Sequence, residues 1–184
     1  MRDNGVSSYR RYLNGDKKAL EEIVAAYSDS LVRYIFCFVK NSAWAEDIME
    51  ETIASLIVKR KKFSENAAFE AYLFRIARNK SFDYLRSPAN RISAIDDYEN
   101  VLHGEDAERE IFKREQRGQL YVCLSKLKAE YRDVLYLIYF VGFSAEEVQK
   151  CLKKNRKQVY NLLSRAKSSL KEALLKEGFE YEEL

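Results

Sequence analysis

Two short segments near the C-terminus carry the residue types best suited to recognition chemistry. Ser144-Ala145-Glu146-Glu147 sets a hydroxyl three residues before a carboxylate, and Asn155-Arg156-Lys157-Gln158 repeats the spacing with two amides. Each is a capping box, in which the first side chain accepts from a helical N–H and the fourth reaches back to the first residue's own N–H. The pattern predicts one helix from Ser144 to Leu152 and another from Asn155 onward, with Lys153 and Lys154 as the turn. Val148 and Leu152 then face Val159, Leu162, Leu163 and Ala166. At about 100° per residue, Lys157, Asn161, Ser164 and Ser168 project opposite Val159, flanked by Tyr160 and Arg165. Amide, hydroxyl, phenol and cation on one face are the groups that meet base edges and phosphates in a major groove. Lys153, Lys154 and Arg156 surround the helix N-terminus, where phosphate is favoured. The geometry alone also fits a plain helical hairpin with a solvated basic face; the basic bias and double capping favour a helix-turn-helix. Gln149, Lys153 and Lys154 stand where such units often hold Ala, Gly and an apolar residue, which predicts a wide turn with Lys153 in a strained conformation.

A second set lies in the N-terminal half. In Ala45-Glu46-Asp47-Ile48-Met49-Glu50-Glu51-Thr52-Ile53, helical spacing puts Asp47, Glu50 and Glu51 on one face and turns Ile48, Thr52 and Leu56 inward. A charged face of this kind is ordinarily just solvated. From Tyr72 to Arg86, Leu73 and Ile76 continue a core stripe begun by Phe69. Tyr72, Phe74, Phe82 and Tyr84 are left interleaved with Arg75, Arg78, Lys80 and Arg86. Cations hold phosphates while rings stack on exposed bases, so the mixture suits a single strand. At least half of these rings suit core packing equally well.

The elements that must position these residues are helices. Pro88 is the only proline, glycines number six in 184 residues, and a period near 3.6 recurs throughout. Asp16 is placed to cap a helix running to about Lys40, and Ser42 the next, to about Lys62. A loop from Phe63 to Asn66 leads to a third helix ending near Arg86, just before Ser87-Pro88. From residue 87 to 110 the apolar pattern thins and acids accumulate, the composition of a flexible linker. Helical periodicity returns at Ile111, and a run from Val134 ends at Gly142 as a C-terminal cap. The expected architecture is all-α: two small helical domains, 1–86 and 111–184, joined by an acidic linker over 87–110. An acidic tether beside a basic C-terminal lobe leaves open a compact, self-masked arrangement.

Other chemistry is poorly served. Cys37, Cys123 and Cys151 are far apart and odd in number, which suits neither a disulfide framework nor a structural metal site. His103 is the only histidine, which removes Ser-His and Cys-His catalysis. Neither an enzyme nor a metal or other cofactor is expected. No run approaches the roughly 18 apolar residues of a membrane span, and the first residues lack a signal-peptide core, so a cytoplasmic chain without membrane insertion is expected. The formal net charge is only +3, yet the charge is segregated. The acids Glu46 to Glu51 are followed by Lys59-Arg60-Lys61-Lys62, and from Lys150 to Lys176 the one acid is Glu172. Segregation of this kind implies separate surfaces for separate partners.

Taken in order, these motifs resemble a known family. Ala45-Glu46-Asp47-Ile48 with Glu51, then Tyr72-Leu73, Ile76-Ala77, Asn79, Asp83 and Arg86, look like region two of bacterial sigma factors. Val148 to Ala166 looks like their region four. With only these regions and a linker, the chain is similar to the extracytoplasmic-function (ECF) group of the sigma-70 family. The resemblance implies a transcription initiation factor that binds core RNA polymerase, recognises promoter elements near −35 and −10, and helps open the duplex. It assigns Asp47, Glu50 and Glu51 to the β′ clamp helices, with the β flap as a further polymerase contact. It assigns Phe63, Ser64 and above all Asn66 to a flipped −10 base, and Arg75, Arg78, Lys80 and Arg86 to the separated strand. It assigns Arg156, Lys157, Tyr160, Asn161, Ser164 and Arg165 to the −35 element, and implies an anti-sigma partner. The family often has Gln at Glu50, an aromatic near Ile53, Trp at Tyr72 and a basic residue at Tyr160 or Leu162, so individual contacts differ here. The alternatives are a stand-alone helix-turn-helix regulator with a sensing or dimerising N-terminal lobe, and a helical bundle that sequesters a protein partner.

Overall fold

A computed structural model describes residues 5–87, 120 and 122–178. The regular elements among them are α-helices: α1 Gly5–Leu13, α2 Lys18–Val39, α3 Ser42–Lys59, α4 Asn66–Arg86, α5 Ala129–Tyr139, α6 Ala145–Leu152 and α7 Arg156–Lys176, with residues 122–126 helical as well. The acidic stretch assigned to a linker lies, beyond Ser87, outside the described residues.

Helix α1 is absent from the sequence expectation, because nine residues are too few to display a period. It forms by burying Val6 and Tyr9. The Tyr9 ring packs on Phe63 and Phe69, and its hydroxyl donates to the Leu56 carbonyl at 3.2 Å. In α2, Ile23, Tyr27, Leu31, Tyr34, Ile35 and Phe38 make the buried stripe, and Asp16 Oδ1 accepts from the Lys18 N–H at 3.1 Å. The cap of α3 is Asn41 rather than Ser42. Asn41 is extended and its side chain accepts from Trp44 N–H at 2.9 Å, which moves the start by one residue. The helix stops at Lys59, earlier than expected, where Arg60 turns left-handed at φ 44°. Arg10 then fixes the following loop by donating to the Phe63 and Ser64 carbonyls at 2.9 and 2.6 Å. Phe69, Leu73, Phe74, Ile76 and Ala77 sink α4 into this first lobe.

The second lobe is built on α5, α6 and α7 around Val134, Leu137, Val148, Val159, Leu162 and Ala166. Both capping boxes form. Ser144 accepts from Glu147 N–H at 3.3 Å while Glu147 accepts from Ser144 N–H at 2.7 Å, and Asn155 and Gln158 exchange bonds of 2.9 Å each way. Lys153 between them is left-handed at φ 52°, the strained turn the sequence implies. Losing a capping side chain costs about 1 kcal/mol, so Ser144→Ala and Asn155→Ala will each lower unfolding free energy by about that amount in urea titrations. The two lobes pack directly, α6 against α4 and α5 against α2.

Candidate nucleic-acid interface

On α7 the burial of Val159, Leu162 and Ala166 against α6 forces the opposite side outward. Arg156, Lys157, Tyr160, Asn161, Ser164 and Arg165 are all exposed on that broad face. Arg156 lies over the Tyr160 ring at 5.6 Å, and the ring is itself half exposed. A stacked guanidinium and phenol form a semi-rigid unit whose edge and charge remain available to a groove.

The loop after α3 and the start of α4 border an open cleft of about 390 Å³ lined by Lys61, Lys62, Phe63, Ser64, Tyr72 and Arg75, with Lys150 of α6 reaching it from the second lobe. Lys61 Nζ is 5.6 Å from the Phe63 ring and 5.1 Å from Tyr72, and Arg75 is 5.1 Å from Tyr72 on α4. A cleft with aromatic walls and a cationic rim is the arrangement that takes an unstacked base with its phosphates. Phe63 is buried, packed against Tyr9, Phe69 and Tyr72, so it is a wall more than a free ring. Tyr72 is one of the rings the sequence interleaves with cations, whereas Lys61 and Lys62 stand in the basic run without an assigned contact. The signal was present: the basic run meets the loop, and Tyr72 lies one turn before Arg75.

Asn66 stands apart from this cleft. Its Oδ1 accepts from Val6 N–H at 3.0 Å and its Nδ2 donates to Glu70 Oε1 at 2.9 Å, so both ends of the amide join α1 to α4. Glu70 is buried and also accepts from the Tyr27 hydroxyl at 2.8 Å. The exposed polar residues between α3 and α4 are Arg60, Lys61, Lys62, Ser64 and Glu65 instead.

The four cations of α4 do not lie on one face. Arg75, Arg78 and Arg86 share one side of the helix, whereas Lys80 points to the other and pairs with Glu51 at 2.7 Å. Arg86 is exposed and 3.4 Å from Asp83. Arg78 is half-buried, stacked on Phe82 at 4.6 Å and ion-paired to Asp133 of the second lobe.

Asp47, Glu50 and Glu51 are exposed on α3, as the helical spacing requires. With Trp44, Lys80, Asp83 and Tyr84 they border a shallow cleft of about 450 Å³. Trp44 is 38% exposed and its ring centroid is 5.0 Å from Tyr84, which gives the acidic surface an aromatic floor. An exposed tryptophan ringed by charge is a common anchor of protein interfaces. It is the chain's one tryptophan, one turn before Asp47, and its spacing could have marked it.

All three cysteines are buried thiols, and burial pushes Cys37 up to about 12, which leaves it unreactive near neutrality. Among the described residues no helix is long and apolar enough to cross a membrane, and no cluster of metal-ligating side chains occurs.

Comparison with known proteins places these surfaces in a family. The family described as Sigma-70 region 2 matches residues 23–91, and that described as Sigma-70, region 4 matches residues 117–170. The ECF RNA polymerase sigma factor SigM of Bacillus subtilis is 24% identical over 152 residues, covering 83% of this chain and 93% of the relative. The RNA polymerase sigma factor NccH of Alcaligenes xylosoxydans is 26% identical over 166 residues, 88% of this chain and 89% of the relative. In fold, the chain is similar to CnrH solved with the cytosolic domain of CnrY, at a TM-score of 0.71 and 23% identity over 96% of this chain and 100% of that one. It is similar also to RpoE of Bartonella quintana solved with the anti-sigma factor NepR, at 0.67 and 20% identity over 86% and 98%. The chain belongs to the sigma-70 family, as a sigma factor of the ECF type that directs transcription initiation at promoters.

Proposed function

We propose how the surfaces divide that work. The exposed face of α7 reads the −35 element in the major groove, with Lys157 and Asn161 central and Arg156 and Arg165 towards phosphates. The cleft of Phe63, Ser64, Tyr72 and Arg75 holds the unstacked −10 base, and Arg78 and Arg86 hold its strand. Trapping a flipped base repays the few kcal/mol of unstacking, so duplex opening needs no catalytic group. The face of Asp47, Glu50 and Glu51, with Trp44 beside it, docks the basic clamp helices of core polymerase. Lys80, paired to Glu51, belongs to that docking face in this reading. The chain works in the cytoplasm without a cofactor.

The observation that carries this reading is the separation of three exposed surfaces of different chemistry on a single chain. An anti-sigma protein is a further expected partner, because CnrH and RpoE share this fold and RpoE was solved with one. A direct test is co-elution: the chain mixed with core polymerase and promoter DNA should travel as one ternary complex, and the chain alone should bind the same duplex weakly. Tight, polymerase-independent binding to the duplex would oppose the division. At the cleft, Arg75→Ala in the reconstituted holoenzyme should raise the Kd for a −10 single strand about tenfold, by loss of a charged and stacking contact of roughly 1–3 kcal/mol. Equilibrium titration with a fluorescent oligonucleotide reads this, and the salt slope should fall by about one ion.

A further inference from the structure

Residues 60–65 join α3 to α4 outside either helix. The ends of this loop are closed by helical bonds, Arg60 N–H to the Leu56 carbonyl and Phe69 N–H to that of Glu65. What lies between is held by α1, from 53 residues earlier in the chain. The Arg10 guanidinium donates through Nε and Nη2 to the Phe63 carbonyl, at 3.2 and 2.9 Å, and through Nη2 again to the Ser64 carbonyl at 2.6 Å. On one flank, Arg60 donates to the Leu13 carbonyl at 3.0 Å and the Tyr9 hydroxyl donates to that of Leu56. On the other, the Asn66 amide accepts from Val6 N–H. The Tyr9 ring meets Phe63 at 5.9 Å.

A guanidinium suits this role because its donors form a rigid planar fork, and bonds from a charged donor are stronger than neutral ones. Two carbonyls held by one fork fix two successive peptide planes. Each peptide is planar and trans, so the same contact turns the N–H groups of Ser64 and Glu65 away from Arg10. The hold acts through the main chain and one inward ring, Phe63, which is buried. The side chains of Lys62, Ser64 and Glu65 stay exposed. Arg10 is itself exposed, while Val6 and Tyr9 are buried and dock the helix. Its work is therefore on the shape of the loop more than on the stability of the lobe.

We propose that α1 braces the base-trapping loop and that Arg10 is the positioning residue that sets its discrimination between bases. The proposal rests on the reading of the cleft of Phe63, Ser64, Tyr72 and Arg75 as the base trap. Phosphate attraction by Lys61, Lys62 and Arg75 tolerates a loop that moves, because a charge acts over a range of geometries. Hydrogen bonding to a base edge does not, since donor and acceptor must be aligned. A loop that is only partly in its binding geometry loses affinity in proportion to the fraction in place. Arg10 touches no base in this scheme and releases no counterion.

The test uses reconstituted holoenzyme and a single-stranded DNA pool randomised over about ten positions, within the span of such sites, with the bound fraction sequenced. Wild type should enrich one base at the trapped position. Arg10→Ala should cut that enrichment about tenfold, the loss expected if the loop holds its binding geometry about a tenth of the time. Affinity for strands with other bases, and for core polymerase, should stay within about twofold. The salt slope of the best-enriched strand should be unchanged, whereas a lost phosphate contact lowers it by about one ion. Arg10→Lys keeps the charge without the fork and should recover little of the enrichment; it carries the test if Arg10→Ala loses helix content by circular dichroism. Full enrichment in both Arg10 variants, while Arg75→Ala weakens strand binding, would overturn the brace and leave the cleft standing. Uniform weakening across all bases with a lower salt slope, rescued by Arg10→Lys, would make Arg10 a phosphate contact and overturn the brace as well. A wild type that enriches no base would remove the cleft as a base trap, and the brace with it.

Discussion

Changing Asp47 and Glu51 together to lysine will abolish measurable binding to core polymerase while leaving the helices intact. Both carboxylates are exposed on α3 and away from its buried side, so the fold tolerates the change. Each reversal turns an attraction of roughly 1 kcal/mol into a repulsion of similar size against a basic partner. Two reversals amount to about 4 kcal/mol, near a thousandfold in Kd. Glu51→Lys also sets a new ammonium against Lys80, which now bonds Glu51 at 2.7 Å. Competition for labelled polymerase at two salt concentrations would measure the loss and its screening. An affinity within threefold of wild type would remove this face from the interface.

Lys157→Ala with Asn161→Ala gives the second large effect, on a different step. Both residues are exposed on α7, so their loss leaves the second-lobe core untouched. A well-placed side chain on a base edge discriminates by about 1–3 kcal/mol, and two together should cut promoter-specific initiation by tens to hundreds of fold. Polymerase binding should be retained within twofold. The separable readouts are initiation from a fragment carrying the −35 element and polymerase affinity measured by competition. Equal loss of both would contradict the assignment of the two functions to different lobes.

Much of this arrangement is legible in the chain itself. The capping boxes at Ser144 and Asn155 fix where α6 and α7 begin, since few other patterns satisfy helix N–H groups so locally. With the starts fixed, the outward face of α7 follows from its period, and all six residues expected there are exposed. The same logic places Asp47, Glu50 and Glu51 outward. What was not legible depends on contacts distant in sequence. Asn66 reads as a polar loop residue until its amide meets Val6 and Glu70, and Val6 belongs to a helix too short to show a period. Lys80 reads as one of four cations on α4; only the approach of α3 reveals its pairing with Glu51. Asp133, in an ordinary Arg-Asp dipeptide, gives no local sign of burial against Tyr34 and Arg78. Long-range polar pairs are set by tertiary packing, and no spacing within a segment encodes them.

The most direct measurement is reconstituted run-off transcription with the purified chain, core polymerase and genomic fragments. A discrete transcript that requires both the chain and a promoter fragment is the expected result, and it should vanish with Asp47→Lys/Glu51→Lys. No chain-dependent transcript from any genomic fragment, under conditions where the chain and the polymerase are each intact, would contradict the division of labour proposed for these surfaces.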